Sequence, residues 1–144
     1  MSRQDWDDYF IDIAIQISTR STCLRKQVGC VIVRDRTIIA TGYNGSLPGQ
    51  PHCTDYQCFL ESGHCIRTIH AETNAINQAA KNGISLNGAS IYCSLEPCWL
   101  CFKNIISSGI KYIYFKQTYG VKNALYSEYL DTHQITYRNI SDER

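Results

Sequence analysis

Two short stretches of this sequence carry residue types suited to metal chemistry: His70-Ala71-Glu72 and Pro97-Cys98-Trp99-Leu100-Cys101. Imidazole and thiolate both ligate zinc. Three protein ligands (His70, Cys98, Cys101) leave the fourth tetrahedral position to water, which marks a catalytic site and not a structural one. Zinc lowers the pKa of such a water to about 7, so that hydroxide is available at neutral pH. Glu72 lies two residues from the histidine and is not needed as a ligand. It can take the proton of that water, hand it to a ring nitrogen of a base, and pass a second proton to a leaving ammonia.

The spacing puts both stretches at helix starts. Cys98 and Cys101, three apart, share one face of a helix that Pro97 opens. His70 begins another helix, and the chain between is long enough for one helix, one strand and two turns. Two helix N-termini can then meet at one point, where the positive ends of the helix dipoles favour thiolate. A lone Cys-x-x-Cys would fit a structural zinc knuckle or buried thiols equally well, and a lone histidine a satisfied core residue. The joint order of histidine, non-ligand glutamate and Pro-Cys-x-x-Cys favours the catalytic reading.

The elements that must position these residues follow from periodicity. Trp6, Phe10, Ile13 and Ile17 recur at helical spacing and predict an amphipathic helix over 5–20. Val28–Val33 and Thr37–Tyr43 read as a hairpin around Arg34-Asp35-Arg36. Asn44–His52, with two glycines and two prolines, is loop. Residues 53–69 have no period, and a long irregular segment inside a compact domain is usually functional or tied down. A helix over 70–82 ends near Gly83. A strand follows at Ala89–Cys93, then a helix at Cys98–Ser107 and a strand at Lys111–Phe115. Residues 122–130 read as helix, Gln134–Tyr137 as a weak last strand, and the polar tail from Asn139 as frayed. Alternating helices and strands in the second half predict an α/β sandwich with at least three neighbouring strands in mixed or parallel order.

Composition bounds the function. The chain has 144 residues, 44% apolar and 19% charged, which is globular. That length predicts a single domain over 1–144, with a core that needs no staples. The net charge is +1, and the densest basic pair inside the fold is Arg25-Lys26. No basic stripe marks a nucleic-acid polymer as partner, while a small anionic ligand needs only one or two cations. Met1–Asp8 is polar with no apolar stretch behind it, and no apolar run nears the roughly 18 residues of a membrane span. The expectation is a cytoplasmic protein without a membrane partner. Eight cysteines in such a chain point to metal or catalysis, and His52, His64 and His70 lie close to Cys53, Cys58 and Cys65.

The order His-x-Glu … Pro-Cys-x-x-Cys resembles the signature of the zinc nucleobase deaminases. The flanks narrow the resemblance. Ser21–Gly29 (STCLRKQVG), Ala40–Gly45 (ATGYNG) and Gly63–Glu72 (GHCIRTIHAE) resemble the deoxycytidylate (dCMP) deaminase family. So do Gly88–Tyr92, Pro97-Cys98 and Gly109 to Tyr119, so that the likeness covers residues 5 to about 130.

The resemblance implies a three-layer α/β/α sandwich around a mixed sheet of about five strands. It implies zinc-dependent hydrolysis of dCMP to dUMP and ammonia, feeding thymidylate synthesis. Asn44 would hold the deoxyribose, and the Ala71 backbone and the 93–96 loop, with Ser94, would read the base. Arg25 would pair with the 5′-phosphate by a charge-assisted fork, and Tyr119 would close over the pocket. The sequence departs from some members at Gly120, where they carry arginine. Either Lys122 substitutes, or the pocket is looser and accepts dCTP as well as dCMP. A nucleoside or tRNA deaminase, and a non-enzymatic zinc-binding regulatory module, are the remaining readings; intact Glu72 argues against the last.

The family also implies a homohexamer activated by dCTP and inhibited by dTTP, with Mg2+ able to accompany the triphosphate. Asn44, Gly45, Asn74, Gln78 and Lys81 fall at the matching regulatory positions. A second, structural zinc is expected on Cys23, Cys53, Cys58 and His64, with Cys65 and His52 as substitutes. A closed Cys3His shell would be structural on independent grounds, and would keep the 53–69 segment ordered. Cys30 and Cys93 read as core.

Overall fold

Along one strand Cys30 and Ile32 point into one apolar cluster, and Val31 and Val33 into another. Successive side chains of a strand face opposite ways, so this strand lies between two packed layers. The computed structural model, which describes residues 2–55 and 57–140 with the side chain of His64 excepted, shows which layers these are.

The elements in chain order begin with α1 (Trp6–Ser18), β1 (Gly29–Arg34), β2 (Thr37–Tyr43) and β3 (Gly45–Ser46). Three two-residue strands follow: β4 (Leu60–Glu61), β5 (His64–Cys65) and β6 (Thr68–Ile69). Then come α2 (Ala71–Lys81), β7 (Ser90–Leu95), α3 (Trp99–Ser107), β8 (Tyr112–Gln117), α4 (Leu125–Thr132) and β9 (Thr136–Asn139). The main sheet has five strands in the order β2-β1-β7-β8-β9. β1 pairs antiparallel with β2 and with β7. β7, β8 and β9 run parallel, and parallel neighbours need crossovers, which α3 and α4 supply.

Phe10 and Ile11 of α1 bury against Val31, Val33, Tyr92 and Ile140 on one face of the sheet. The alanines of α2, Phe102 and Ile105 of α3, and Tyr126 of α4 cover the other. This is the expected α/β/α sandwich. Two glycines set how closely helices approach it. A Cβ on Gly29 would stand 2.2 Å from the Ala14 carbonyl oxygen of α1, and one on Gly42 would stand 2.2 Å from the Ala71 carbonyl oxygen of α2. Only a bare backbone lets both helices sit this low.

Three sequence expectations shift. The 53–69 segment contains short pairings: β3 with β6 and β4 with β5. α4 starts at Leu125, not at 122, because the Asn123 side chain accepts the Leu125 N–H at 2.9 Å and holds the preceding residues as a turn. The tail is not frayed from Asn139. That residue pairs with Phe115 in β9, and Ile140 is 0% exposed against α1; residues 141–144 lie outside the described ones. No helix among the described residues is long and apolar enough to cross a membrane.

Candidate active site

His70 is the N-cap of α2 and Cys98 the N-cap of α3. An N-cap side chain ordinarily accepts a hydrogen bond from the first turn, but neither residue does so. Both are aimed at each other instead. His70 Nδ1 lies 3.5 Å from Cys98 Sγ and 3.4 Å from Cys101 Sγ. All three donor atoms are within 4.8 Å of one another. One imidazole and two thiols converging from two helix N-termini fit a zinc ion with a coordination position to spare. The Thr73 hydroxyl lies 3.9 Å from Cys101 Sγ as an outer partner.

The electrostatics agree with the donor set. The hydrogen bond from Cys101 brings the Cys98 thiol down to about 4, and the same bond pushes Cys101 up. His70 is raised, first by its hydrogen bond to Cys98. Glu72, in the first turn of α2, is 4% exposed, and burial pushes its carboxyl up to about 7. Cys30 and Cys93, cross-strand partners on β1 and β7, interact with it from the sheet. Burial raises both thiols well above their ordinary value, so they are neutral core residues as expected.

A cleft of about 370 Å³ opens onto this cluster, lined by His70, Ala71, Glu72 and Cys98 at the metal end. Arg25, Lys26, Asn44 and Tyr119 line it as well. The exposed Arg25 guanidinium donates to the Gly63 carbonyl at 3.0 Å, and Lys26 Nζ stands 4.3 Å over the Tyr119 ring. Among the expected substrate residues, Arg25, Asn44, Ala71 and Tyr119 therefore meet in one cleft. Asn44 also organises the wall: its side chain accepts the Val28 N–H at 2.9 Å and donates to the Lys26 carbonyl at 2.8 Å. The Ser94 hydroxyl accepts the Gly29 N–H at 3.0 Å and ties β7 to β1, while Leu95 and Glu96 of the same 93–96 loop line the cleft. Lys122, the expected substitute for an arginine at 120, pairs its ammonium with Glu96 at 2.8 Å. Sequence reasoning noted Lys26 only as half of a basic pair and Glu96 only as part of the 93–96 loop. The signal for Glu96 was a carboxylate directly before Pro97-Cys98, at the end of an otherwise apolar strand.

The residues expected at a regulatory site spread along the β2 edge. Asn74 donates to the Tyr43 carbonyl at 2.8 Å, and Gln78 accepts the Thr41 N–H at 2.8 Å. Both side chains therefore cover the open edge of the sheet. Gly45 pairs with Ile69 just before His70, and Lys81 is exposed at the end of α2.

The second cysteine cluster differs from expectation. Cys53, Cys58 and Cys65 bring their sulfurs within 4.8 Å of one another, with Cys53 and Cys65 at 3.7 Å. Cys23 is not among them; its sulfur accepts the Arg25 N–H at 3.4 Å and borders the cleft. Cys65 is in the cluster instead; it lies on β5, where it pairs with Leu60 of β4. Against burial, which raises it, the backbone N–H groups of Thr68, Arg67 and Phe59 bring the Cys65 thiol down to about 6. His52 stands outside the cluster, and the His64 side chain lies outside the described residues.

Comparison with known proteins agrees with this geometry. Residues 4–117 match the cytidine and deoxycytidylate deaminase zinc-binding region, and the chain belongs to that family. It is 48% identical over 119 residues to ComE operon protein 2 of Bacillus subtilis, covering 83% of this chain and 63% of that one. It therefore spans less than two thirds of the Bacillus protein. It is 36% identical to the deoxycytidylate deaminase of Mycobacterium phage D29, covering 80% of this chain and 97% of the phage protein. The dCMP deaminase of cyanophage S-TIM5, solved in complex with dCMP and dUMP, superposes with a TM-score of 0.81 at 27% identity, over 97% of this chain and all of that one.

Proposed function

We propose that this chain hydrolyses dCMP to dUMP and ammonia. The observation that carries the reading is Glu72, a buried carboxyl held near neutrality beside the His70, Cys98 and Cys101 donor set. It shares its cleft with the cations Arg25 and Lys26. The cleft volume falls in the range of small-molecule sites. The cyanophage relative, solved with dCMP and dUMP, supports the same substrate.

The residues divide the work. Bound at His70, Cys98 and Cys101, zinc would supply the Lewis acid that brings the pKa of a water to about 7. Ala71, first residue of α2, has a backbone N–H with no helical acceptor, which suits the base oxygen. Arg25 and Lys26 neutralise the 5′-phosphate, and Tyr119 closes the pocket. The Glu72 carboxylate takes a proton from the attacking water and gives it to the ring nitrogen. It then delivers the second proton to the leaving amine.

The same reading includes a structural zinc on Cys53, Cys58 and Cys65, with His64 as the expected fourth ligand that closes the shell. It also includes regulation by dCTP, with Mg2+, and by dTTP along the stretch bordered by Asn44, Gly45 and Lys81, in a homohexamer. Eight free thiols suit a reducing compartment, consistent with a cytoplasmic location. Ammonia release from dCMP and dCTP, each with and without added dCTP and dTTP, tests the proposal. Turnover of dCMP is expected. No turnover of either nucleotide would overturn the substrate assignment.

A further inference from the structure

Glu96 is 2% exposed. It lines the cleft and sits two residues before Cys98. Its carboxylate meets three donors. Oε1 accepts the Tyr119 backbone N–H at 3.0 Å and the Lys122 ammonium at 2.9 Å. Oε2 accepts the Tyr137 hydroxyl from β9 and faces Lys122 at 2.8 Å. Its own backbone N–H donates to the Gln117 carbonyl at 2.7 Å, where β8 ends. One residue therefore grips the β8–α4 connection through both main chain and side chain.

That connection carries little apolar anchorage of its own. Tyr119 is 40% exposed, Val121 is fully exposed, and Gly120 takes a φ of +65°. An ion pair with one exposed partner is a weak source of net stability, because solvent screens the attraction. What the pairing does supply is direction. It fixes the main chain at Tyr119 while the ring packs under Lys26, at the cleft wall that also holds Arg25.

We infer that Glu96 is a positioning residue for substrate binding: it holds the Tyr119 segment closed over the cleft, with Lys122 as its counter-ion. The inference rests on the dCMP reading and deepens it. The effect falls on binding, since Glu96 acts through Tyr119 and Lys26 and not through Glu72 or the metal ligands.

The test uses zinc-loaded wild type, Glu96→Gln and Lys122→Met, measured for dCMP kinetics, zinc content and amide exchange across 117–124. Glu96→Gln keeps the volume, and Lys122→Met changes a partly exposed side chain that any folding defect at Glu96 would not affect. In both variants KM is expected to rise about tenfold, the size of one lost charge-assisted hydrogen bond. kcat should stay within about twofold, because binding and not chemistry is disturbed. Zinc content should match wild type, and exchange at Tyr119 should quicken. Unchanged KM and unchanged exchange in both variants would overturn the inference, as would loss of zinc, which would make Glu96 a support for the metal helix. If wild type leaves dCMP untouched, the substrate reading falls, and exchange at Tyr119 alone decides the role of Glu96.

Discussion

His70 Nδ1 and Cys98 Sγ lie 3.5 Å apart although the two residues head different helices. Each occupies an N-cap without capping its helix, so the first turns of α2 and α3 give up a stabilising hydrogen bond in favour of ligand placement. Cys98→Ser should show both sides of this. Serine caps well, and the metal-free variant is expected to match or exceed metal-free wild type by about 1 kcal/mol. It should lose the catalytic zinc and its turnover. Metal analysis with thermal unfolding of the metal-free proteins checks this; a variant that keeps its zinc and activity would remove Cys98 from the ligand set.

Glu72→Gln separates proton transfer from metal binding. The amide keeps the shape but cannot take a proton, so kcat should fall by about 10²- to 10⁴-fold with zinc retained. Stability should move the other way. Burial raises the folded pKa of Glu72 to about 7, above the ordinary carboxylate value. Its contribution is therefore most favourable at low pH and is lost as pH rises towards 7. Metal-free Glu72→Gln is expected to be at least as stable as metal-free wild type at pH 8, by denaturant melts.

The same carboxyl sets an acid limb in the pH profile. Glu72 must be ionised to accept the first proton, and burial pushes its carboxyl up to about 7. kcat/KM for dCMP should therefore decline as pH falls, with the limb near pH 7. A limb clearly above 7 would point to another base.

Zinc should be present at more than one ion per chain. Cys58→Ser breaks the second cluster at a residue that does not itself line the cleft, although its neighbour Cys65 does, so zinc is expected to fall by one while some dCMP turnover persists at low temperature. Thermal stability should drop, because binding energy at a structural zinc is folding energy. A wild-type content near one ion would refute the second site.

The pattern of residues 70–72 and 97–101 was enough to bring His70, Cys98 and Cys101 together, because residue type, spacing and helix starts are local. The five-stranded order was not readable from periodicity alone and came with the family resemblance; β1, buried on both faces, shows no alternation that would orient it. Ser94 and Cys23 each make a bond that the sequence did not show, for a common reason. Their neighbours in space are backbone groups at Gly29 and Arg25, and a sequence does not show which side chain a distant or turning main chain will claim. Cys65 was only a substitute ligand because its position depends on the β4–β5 pairing, in strands of two residues each. The bonds of Glu96 were not readable because its partners lie 23 to 41 residues away.

Gly42 joins the fold to the chemistry most directly. It lies on β2, outside the cleft, yet a Cβ there would meet the Ala71 carbonyl at 2.2 Å and the Ala75 nitrogen at 2.6 Å. Both are backbone atoms of α2, so the clash cannot be relieved by a rotamer change, and the helix must lift. Lifting α2 moves His70 and Glu72 relative to Cys98 and Cys101, which are fixed to α3. Gly42→Ala is thus expected to cost about 1–3 kcal/mol as overpacking. It should also lower kcat by more than tenfold at temperatures where the protein stays folded, because about 1 Å of misplacement suffices for that. Thermal unfolding and dCMP kinetics on the same preparation check this. A variant that loses stability but keeps kcat would show that α2 and α3 move together, and that the zinc ligands, not the sheet, hold the two helices in register.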